Sequence, residues 1–396
     1  MNKRSLKNIL IVTFFIVGKL AFPQDSITTA PLVSYGKKGF ELTSSDNNYL
    51  MQIEFRGQFR FAYPYDSDPV TLEDFDSDNV SLYLNRARMK VGGHSFKPWL
   101  KYYLEYELMS SNLLDFRLMI EKYKFLNIKV GQWKVQYNRE RIISSGKQQS
   151  VERSILTRPF TIDRQQGISL YGHLDGRGAA NFNYWVSVFM GTGRGAEVND
   201  DRHLMWMTRW QWNFMGKPLE FTGSDLKYHN RLTAVVALAA VTNKSAFTRF
   251  SQSGGGELQG FPEGKPGQYR VNQWLIETAA KYRGFSWQQE FHWKQINDEI
   301  NKHTSTMTGN LVQAGYFPYH LWSKFPETME LYARQAFYIP DMSKTDQVGQ
   351  EYSIGANYFI NGHRNKLTLE YSWLQYKSPN DENEGGRIRL QWDISL

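Results

Sequence analysis

The sequence predicts an all-β chain: a transmembrane, 16-stranded antiparallel β-barrel with one long connection folded inward. Three observations carry this. From residue 51 onward apolar and polar side chains alternate, the period of a pleated ribbon lying between two media. Aromatic residues make up 15% of a chain whose mean hydropathy is polar, −0.54, as on a barrel with lipid-facing aromatic girdles. No run of eighteen apolar residues occurs, which removes a transmembrane helix. With 396 residues the chain is long enough for one large domain. A soluble all-β carbohydrate-binding or hydrolase domain is the alternative that composition leaves open.

The N-terminus indicates the compartment. Residues 1–8 are basic and 9–18 apolar, so 1–24 read as a signal peptide, cleaved somewhere in 19–24 without a clean small-x-small pattern. Its removal takes four cations and no acid, lowering the formal charge from +8 to +4. Much of the basicity is therefore targeting, and no nucleic-acid partner is expected of an exported chain. The absence of cysteine excludes disulfides, a thiolate metal site and a lipoprotein signal. Residues 25–50, polar and carrying Pro31 and Gly36, read as a periplasmic linker; 51–396 read as the outer-membrane barrel.

The strands follow in order. Over 51–63, Met51, Ile53, Phe55, Phe59 and Phe61 share one face, and Gln52, Glu54, Arg56, Gln58 and Arg60 the other. Over 80–92, Ala87, Met89 and Val91 oppose Arg86, Arg88 and Lys90. The run 100–108 sets Leu100, Tyr102, Leu104 and Tyr106 against Lys101, Tyr103, Glu105 and Glu107. Over 114–121, Leu114, Phe116, Leu118 and Ile120 oppose Asp115, Arg117 and Glu121. Over 125–137, Leu126, Ile128 and Val130 oppose Asn127 and Lys129. Eleven more fit at 166–174, 180–190, 204–214, 230–241, 271–283, 285–295, 309–317, 328–339, 350–360, 366–376 and 387–396. Sixteen is even, so the first and last strands pair and no edge is left in lipid.

Connections alternate in length. With the N-terminus periplasmic, 64–79, 138–163, 191–203, 242–270 and 298–308 face outside, whereas 122–124, 175–178, 283–285 and 361–365 are tight turns inside. The segment 215–229 is a long exception on the short side. A short helical turn is expected around 320–325.

The third external connection, 138–163, carries Arg139, Arg141, Lys147, Arg153 and Arg158 against Glu140, Glu152 and Asp163. So charged a connection is expected to fold into the bore and set what passes. The inward face of the strands holds Arg56, Arg60, Arg86, Arg88, Lys90, Arg117, Lys129, Arg209, Lys281 and Arg283, with Glu54, Glu105, Glu107, Asp115, Glu290 and Glu370 among them. A charge facing lipid costs roughly 2–4 kcal/mol at the midplane, so these line water. Cations in a narrow bore attract anions because low-dielectric walls focus the field. The plainer reading is that Arg and Glu pair along the wall and stiffen it.

Other signals are weaker. The first external connection is acidic (Asp66, Asp68, Glu73, Asp74, Asp76, Asp78), and its Asp74–Asp78 run alternates oxygen ligands as a calcium loop does. It lacks the turn glycine and the terminal Glu, so it reads as a solvated acidic loop and not a resident metal site, one able to bridge lipopolysaccharide of the surrounding outer-membrane lipid through divalent cations. The eight histidines form no HExxH, and no G-x-S-x-G elbow exists, so no enzyme and no cofactor are expected.

Residues 85–93 (NRARMKVGG), 129–137 (KVGQWKVQY), 144–146 (SSG), 151–154 (VERS) and 164–172 (RQQGISLYG) stand in an order that resembles the phosphate-selective porin O/P family of Gram-negative outer membranes. The alternating C-terminus resembles the assembly signal of such barrels, though it ends in Leu396 and not in an aromatic residue. The resemblance implies a homotrimeric porin with an inward third loop and a ladder of arginines, carried over here onto Arg86, Arg88, Arg139, Arg141, Arg153 and Arg158, with Lys147 beside them. It implies passive diffusion of small anionic or polar solutes, phosphate the leading candidate. A general or saccharide porin, with Trp133 and Trp185 in the bore, and a non-conducting surface barrel are the alternatives.

Overall fold

The strands of the computed structural model close on themselves. It describes residues 32–396 apart from 37, 70, 71, 177, 253 and 254. The expected signal segment, 1–24, lies outside the described residues. The chain runs β1 Leu32–Gly36, β2 Gly39–Thr43, β3 Leu50–Tyr63, β4 Ser81–His94, β5 Leu100–Glu107, β6 Asn112–Ile120, β7 Asn127–Lys134, β8 Arg164–Asp175 and β9 Asn181–Phe189. It continues β10 Met205–Trp212, β11 Thr233–Ser245, β12 Tyr269–Tyr282, β13 Phe285–Asp298, β14 His303–Tyr316, β15 Met329–Ile339, β16 Val348–Asn361, β17 Asn365–Ser378 and β18 Asp381–Ser395. From β3 to β18 each strand pairs antiparallel with the next, and β18 returns to β3 with Leu390 opposite Phe61 and Trp392 opposite Phe59. The barrel therefore has sixteen strands and no open edge, the arrangement a sheet needs in lipid.

Alternation decides which side each residue meets. On β3, Phe55 and Phe59 are exposed outward while Arg56, Gln58 and Arg60 are buried inward. Leu118, Ile120, Val130, Ile168, Trp206, Trp210, Ile354 and Leu390 continue the outward apolar belt. A bulge keeps the densest cation cluster inward: Gln58 pairs with Arg86 but Phe59 with Leu84, so Asn85 is the extra residue and the face resets there. Leu82 and Leu84 are thus followed outward by Ala87 and Met89, with Arg86, Arg88 and Lys90 inside.

Four expectations are corrected. Residues 25–50 are not all linker: β1 and β2 form a hairpin about Gly39 (φ 86°), and β2 pairs with the first half of β3, Phe40 opposite Ile53. Two five-residue strands give too short a pattern to detect, and Arg364 fixes them by donating to the Gly36 carbonyl (2.7 Å) and covering the Tyr35 ring. The 298–308 segment is no long loop. β13 and β14 extend into it and leave only a turn at 299–302, where Asp298 Oδ1 accepts the Ile300 and Asn301 N–H groups. Strand ends outside the bilayer tolerate polar residues on both faces, which hid this extension. Arg283 does not line the bore; it occupies the β12–β13 turn with φ 46°, exposed over Tyr282. The short helical turn falls at Pro318–His320, slightly earlier than expected.

Candidate functional site

The 135–163 connection reaches across the barrel interior and is held there by inward carboxylates of the far wall. Its first helical turn, Arg139–Ile142, begins at a fully buried triad. Glu277 of β12 takes Arg139 Nε (2.8 Å) and backbone N–H (3.0 Å), and also Arg209 Nη2 (2.7 Å) and Nη1 (2.9 Å). Glu290 accepts the Glu140 N–H at 2.6 Å and Asn138 Nδ2 at 3.0 Å. Glu351 accepts the Ile155 N–H, and Glu370 the Val151 N–H. Arg334, paired to Glu351, donates to Ser150 Oγ and to the Glu152 carbonyl, each at 2.7 Å. These wall carboxylates satisfy loop backbone that would otherwise be buried unpaired. Burial first, and neighbouring Glu290 second, push the Glu140 carboxyl up to about 7.

Beyond residue 154 the connection turns apolar. Ile155, Leu156, Phe160 and Ile162 join Phe189, Met207, Val271, Leu311, Phe250 and Leu258 in a core inside the barrel. Trp133, with no exposed surface, lies 5.2 Å from Phe189 in this cluster, and half-buried Trp185 meets Phe221 edge-on. Neither forms an open aromatic surface that a sugar could follow.

A second segment enters from the opposite rim. The β10–β11 connection, 213–232, is the long exception on the side of tight turns, and the contacts explain its length. Leu219 packs on Val235 and Ala279 of the inner wall. Ser224 Oγ donates to Glu330 (2.6 Å), and Lys281 Nζ to the Ser224 carbonyl (2.8 Å). Its tip meets the third loop: the Gly223 N–H donates to the Lys147 carbonyl (3.0 Å), and Arg139 Nη1 to the Glu220 carbonyl (3.0 Å). A Cβ at Gly223 would stand 2.8 Å from the Gln149 backbone nitrogen, so only glycine allows this approach.

The two segments fill the side of the bore beside β10–β17. There Arg209, Glu277, Glu290, Lys294, Glu330, Arg334, Glu351, Asn357 and Glu370 keep at most 3% of their surface. The side beside β3–β6 stays wetter. Partly or fully exposed along it are Arg86, Arg88, Lys90, Lys101, Arg117, Arg141 and Lys147, against Glu54, Asp66, Glu121 and Glu152. Glu105 and Glu107 flank Arg88 at about its own depth, and Asp115 lies buried behind Arg117. Toward the tight-turn rim the space widens into a cavity of about 670 Å³ whose lining includes Lys38, Glu54, Lys90, Tyr103, Arg117 and Lys147.

The residues singled out from sequence thus divide. Arg86 meets Glu152 (2.6 Å), Arg88 meets Glu105 (2.8 Å) and Glu107 (2.7 Å), Lys90 meets Glu54, and Arg117 meets Asp115 (2.8 Å) and covers the Tyr103 ring. Arg141 pairs with Asp163. Arg60 and Arg153 join the Glu152 cluster, and Lys147 stands exposed at the loop tip. Arg139 anchors the loop, and Arg56, buried on Asp393 with Nη1 2.7 Å from Ser145 Oγ, holds its tip. Lys129 is buried beside Gln136 and over Trp133. Arg158 lies apart, beneath the outer rim among Leu258, Phe261 and Tyr338. In the acidic first connection Asp66 and Asp68 turn inward to Arg60 and Arg387, while Asp76 and Asp78 stay exposed. Sequence reasoning did not single out Glu152 or the 213–232 segment as functional, although the latter's length flagged it.

Similarity agrees with this geometry. No curated protein matches the chain. Among solved structures it is similar to a loop-deletion form of the Vibrio cholerae outer-membrane protein OmpT (10% identity, 87% of this chain and 99% of that one, TM-score 0.58). An anion-selective porin from Comamonas acidovorans (10% identity, 87% and 99%, TM-score 0.56) and the Acinetobacter baumannii channel DcaP (9% identity, 87% and 97%, TM-score 0.52) share the fold. The family described as phosphate-selective porin O and P matches residues 55–394, nearly the whole barrel. The chain is an outer-membrane porin of the phosphate-selective porin O and P family.

Proposed function

We propose that small oxyanions, phosphate foremost, cross this porin along one side of the bore, beside β3–β6, and not through its centre. The observation that carries the reading is the charge of the wetter wall. Among the described residues, exposed Lys147 and partly exposed Arg86, Arg88, Lys90, Lys101, Arg117 and Arg141 outnumber Glu54, Asp66, Glu121 and Glu152 there, while Glu105 and Glu107 sit against Arg88 and Asp115 is withdrawn behind Arg117. Narrow, low-dielectric surroundings focus that positive field on a passing solute. Weak contacts with successive cations replace part of its hydration without trapping it, so diffusion needs no cofactor or energy source. The Comamonas relative's description as anion-selective supports the same sign. Residues 1–24 act as the export signal, and the working unit is a homotrimer, as the trimeric form of Vibrio OmpT suggests.

Reversal potentials under a salt gradient in planar bilayers test the sign. The wild-type protein is expected to prefer anions, and Arg86→Glu with Arg88→Glu to abolish or invert that preference, because two inward charges change by two units each. Cation preference in the wild type would refute the anion reading and leave the barrel intact.

A further inference from the structure

Glu152 lies where a passing anion would bind. Its backbone belongs to the third loop and is docked on the far wall, where Arg334 Nη1 donates to its carbonyl at 2.7 Å. Its side chain reaches back across the gap to the cationic wall. There Oε2 accepts Arg86 Nη2 at 2.6 Å and Arg60 Nη2 at 3.1 Å, and Oε1 accepts the Arg153 N–H at 3.2 Å with Arg153 Nη1 at 3.6 Å. Asp66, the other carboxylate on Arg60, approaches through Nη1, and Arg86 Nη1 is taken by Gln58. Arg86 Nη2 and Arg60 Nη2 therefore converge on one carboxylate oxygen, although Arg60 Nη2 is shared with Gln391 Oε1 (2.8 Å) and the Val151 carbonyl (3.3 Å). Glu152 also keeps 25% of its side chain exposed, unlike the loop-anchoring carboxylates Glu277 and Glu351 at 0%.

We propose that Glu152 is a tethered counter-ion occupying the oxyanion site formed by Arg60, Arg86 and the Arg153 N–H, and that permeating oxyanions must displace it. This rests on the anion reading above and adds the residue that sets its selectivity. The site presents donors to two oxygens: a carboxylate or phosphate can satisfy both sets, a halide only one. While Glu152 is in place the guanidiniums are neutralised and hold a solute weakly; with it swung aside they bind. Its partial exposure leaves the Glu152 side chain room to swing aside, which the sealed carboxylates of Glu277 and Glu351 lack.

Chloride currents through the whole protein in planar bilayers, titrated with inorganic phosphate or acetate, test this. Glu152→Gln is expected to lower the half-blocking concentration of phosphate roughly tenfold, the scale of removing one competing charge-assisted contact, and to strengthen anion preference. Acetate should block the variant better than it blocks the wild type, and whichever oxyanion gains more names the source. Since the chain has no cysteine, Glu152→Cys gives a second arm. Modification with a sulfonate-bearing methanethiosulfonate should restore wild-type phosphate sensitivity, and the uncharged methyl reagent should not. Unchanged block and selectivity in Glu152→Gln, or equal effects of the two reagents, would overturn the proposal. A wild-type channel without anion preference would instead sink the underlying reading.

Discussion

Replacing residues 214–230 with a short turn is expected to raise single-channel conductance severalfold while the barrel still assembles. Trp212 and Val236 are already opposite one another in the β10–β11 ladder, so a tight turn bridges the strands without moving them. The groups left behind are not stranded. Glu330 loses Ser224 but keeps Gln149 (2.6 Å) and Asn357 (3.0 Å), and Lys281 gains water in place of Thr222 and Ser224. What disappears is a packed segment in a barrel class wide enough to hold an aqueous channel. Conductance compared with that of Gly223→Leu, which pushes the segment off Gln149 without deleting it, separates opening from collapse: both should rise, the deletion more. An unchanged conductance in the deletion would mean that these residues do not limit the path.

Glu277→Ala is expected to release the third loop. It leaves Arg139 and Arg209 buried together without their shared carboxylate, a loss on the order of 3–5 kcal/mol for a broken buried pair. The cost falls on loop docking more than on the barrel, whose ladder hydrogen bonds do not involve this side chain. Hydrogen exchange over 139–163 should accelerate strongly and open-channel noise should increase, with Glu277→Gln in between. Exchange unchanged from wild type would show that the triad does not anchor the loop.

Most of the fold was legible because the bilayer imposes one rule on every strand. Residues such as Phe55 and Arg56, or Leu390 and Arg389, can only be sorted one way, and that sorting located all sixteen barrel strands. The hairpin Leu32–Thr43 escaped because it lies beyond that rule: its exposed Leu32, Val33 and Tyr35 alternate with nothing. The charged residues of the interior were legible as a set but not in their roles. Arg139 and Arg88 look alike in sequence, yet one is sealed against Glu277 and the other borders the gap, a difference made by contacts with Gln211 and Glu220 about 70 and 80 residues away. Glu290 and Glu370 looked like charges opposing anions; they prove to be acceptors for loop N–H groups. Glu152 was visible as part of a charge count and of the 151–154 motif but not in its role, because its partners Arg60 and Arg86 come from strands far back in the chain.

The one-sided path is most directly tested by reactivity of single cysteines toward a water-soluble anionic thiol reagent during current recording. The chain supplies no background thiol. Gln52→Cys and Lys90→Cys, on the wetter wall, should react quickly and alter the current. Ser353→Cys and Ser372→Cys are near-isosteric changes at inward positions with at most 1% exposure, and they should stay unmodified. Equal reaction at all four positions, or silence at 52 and 90 with reaction at 353 and 372, would contradict the account.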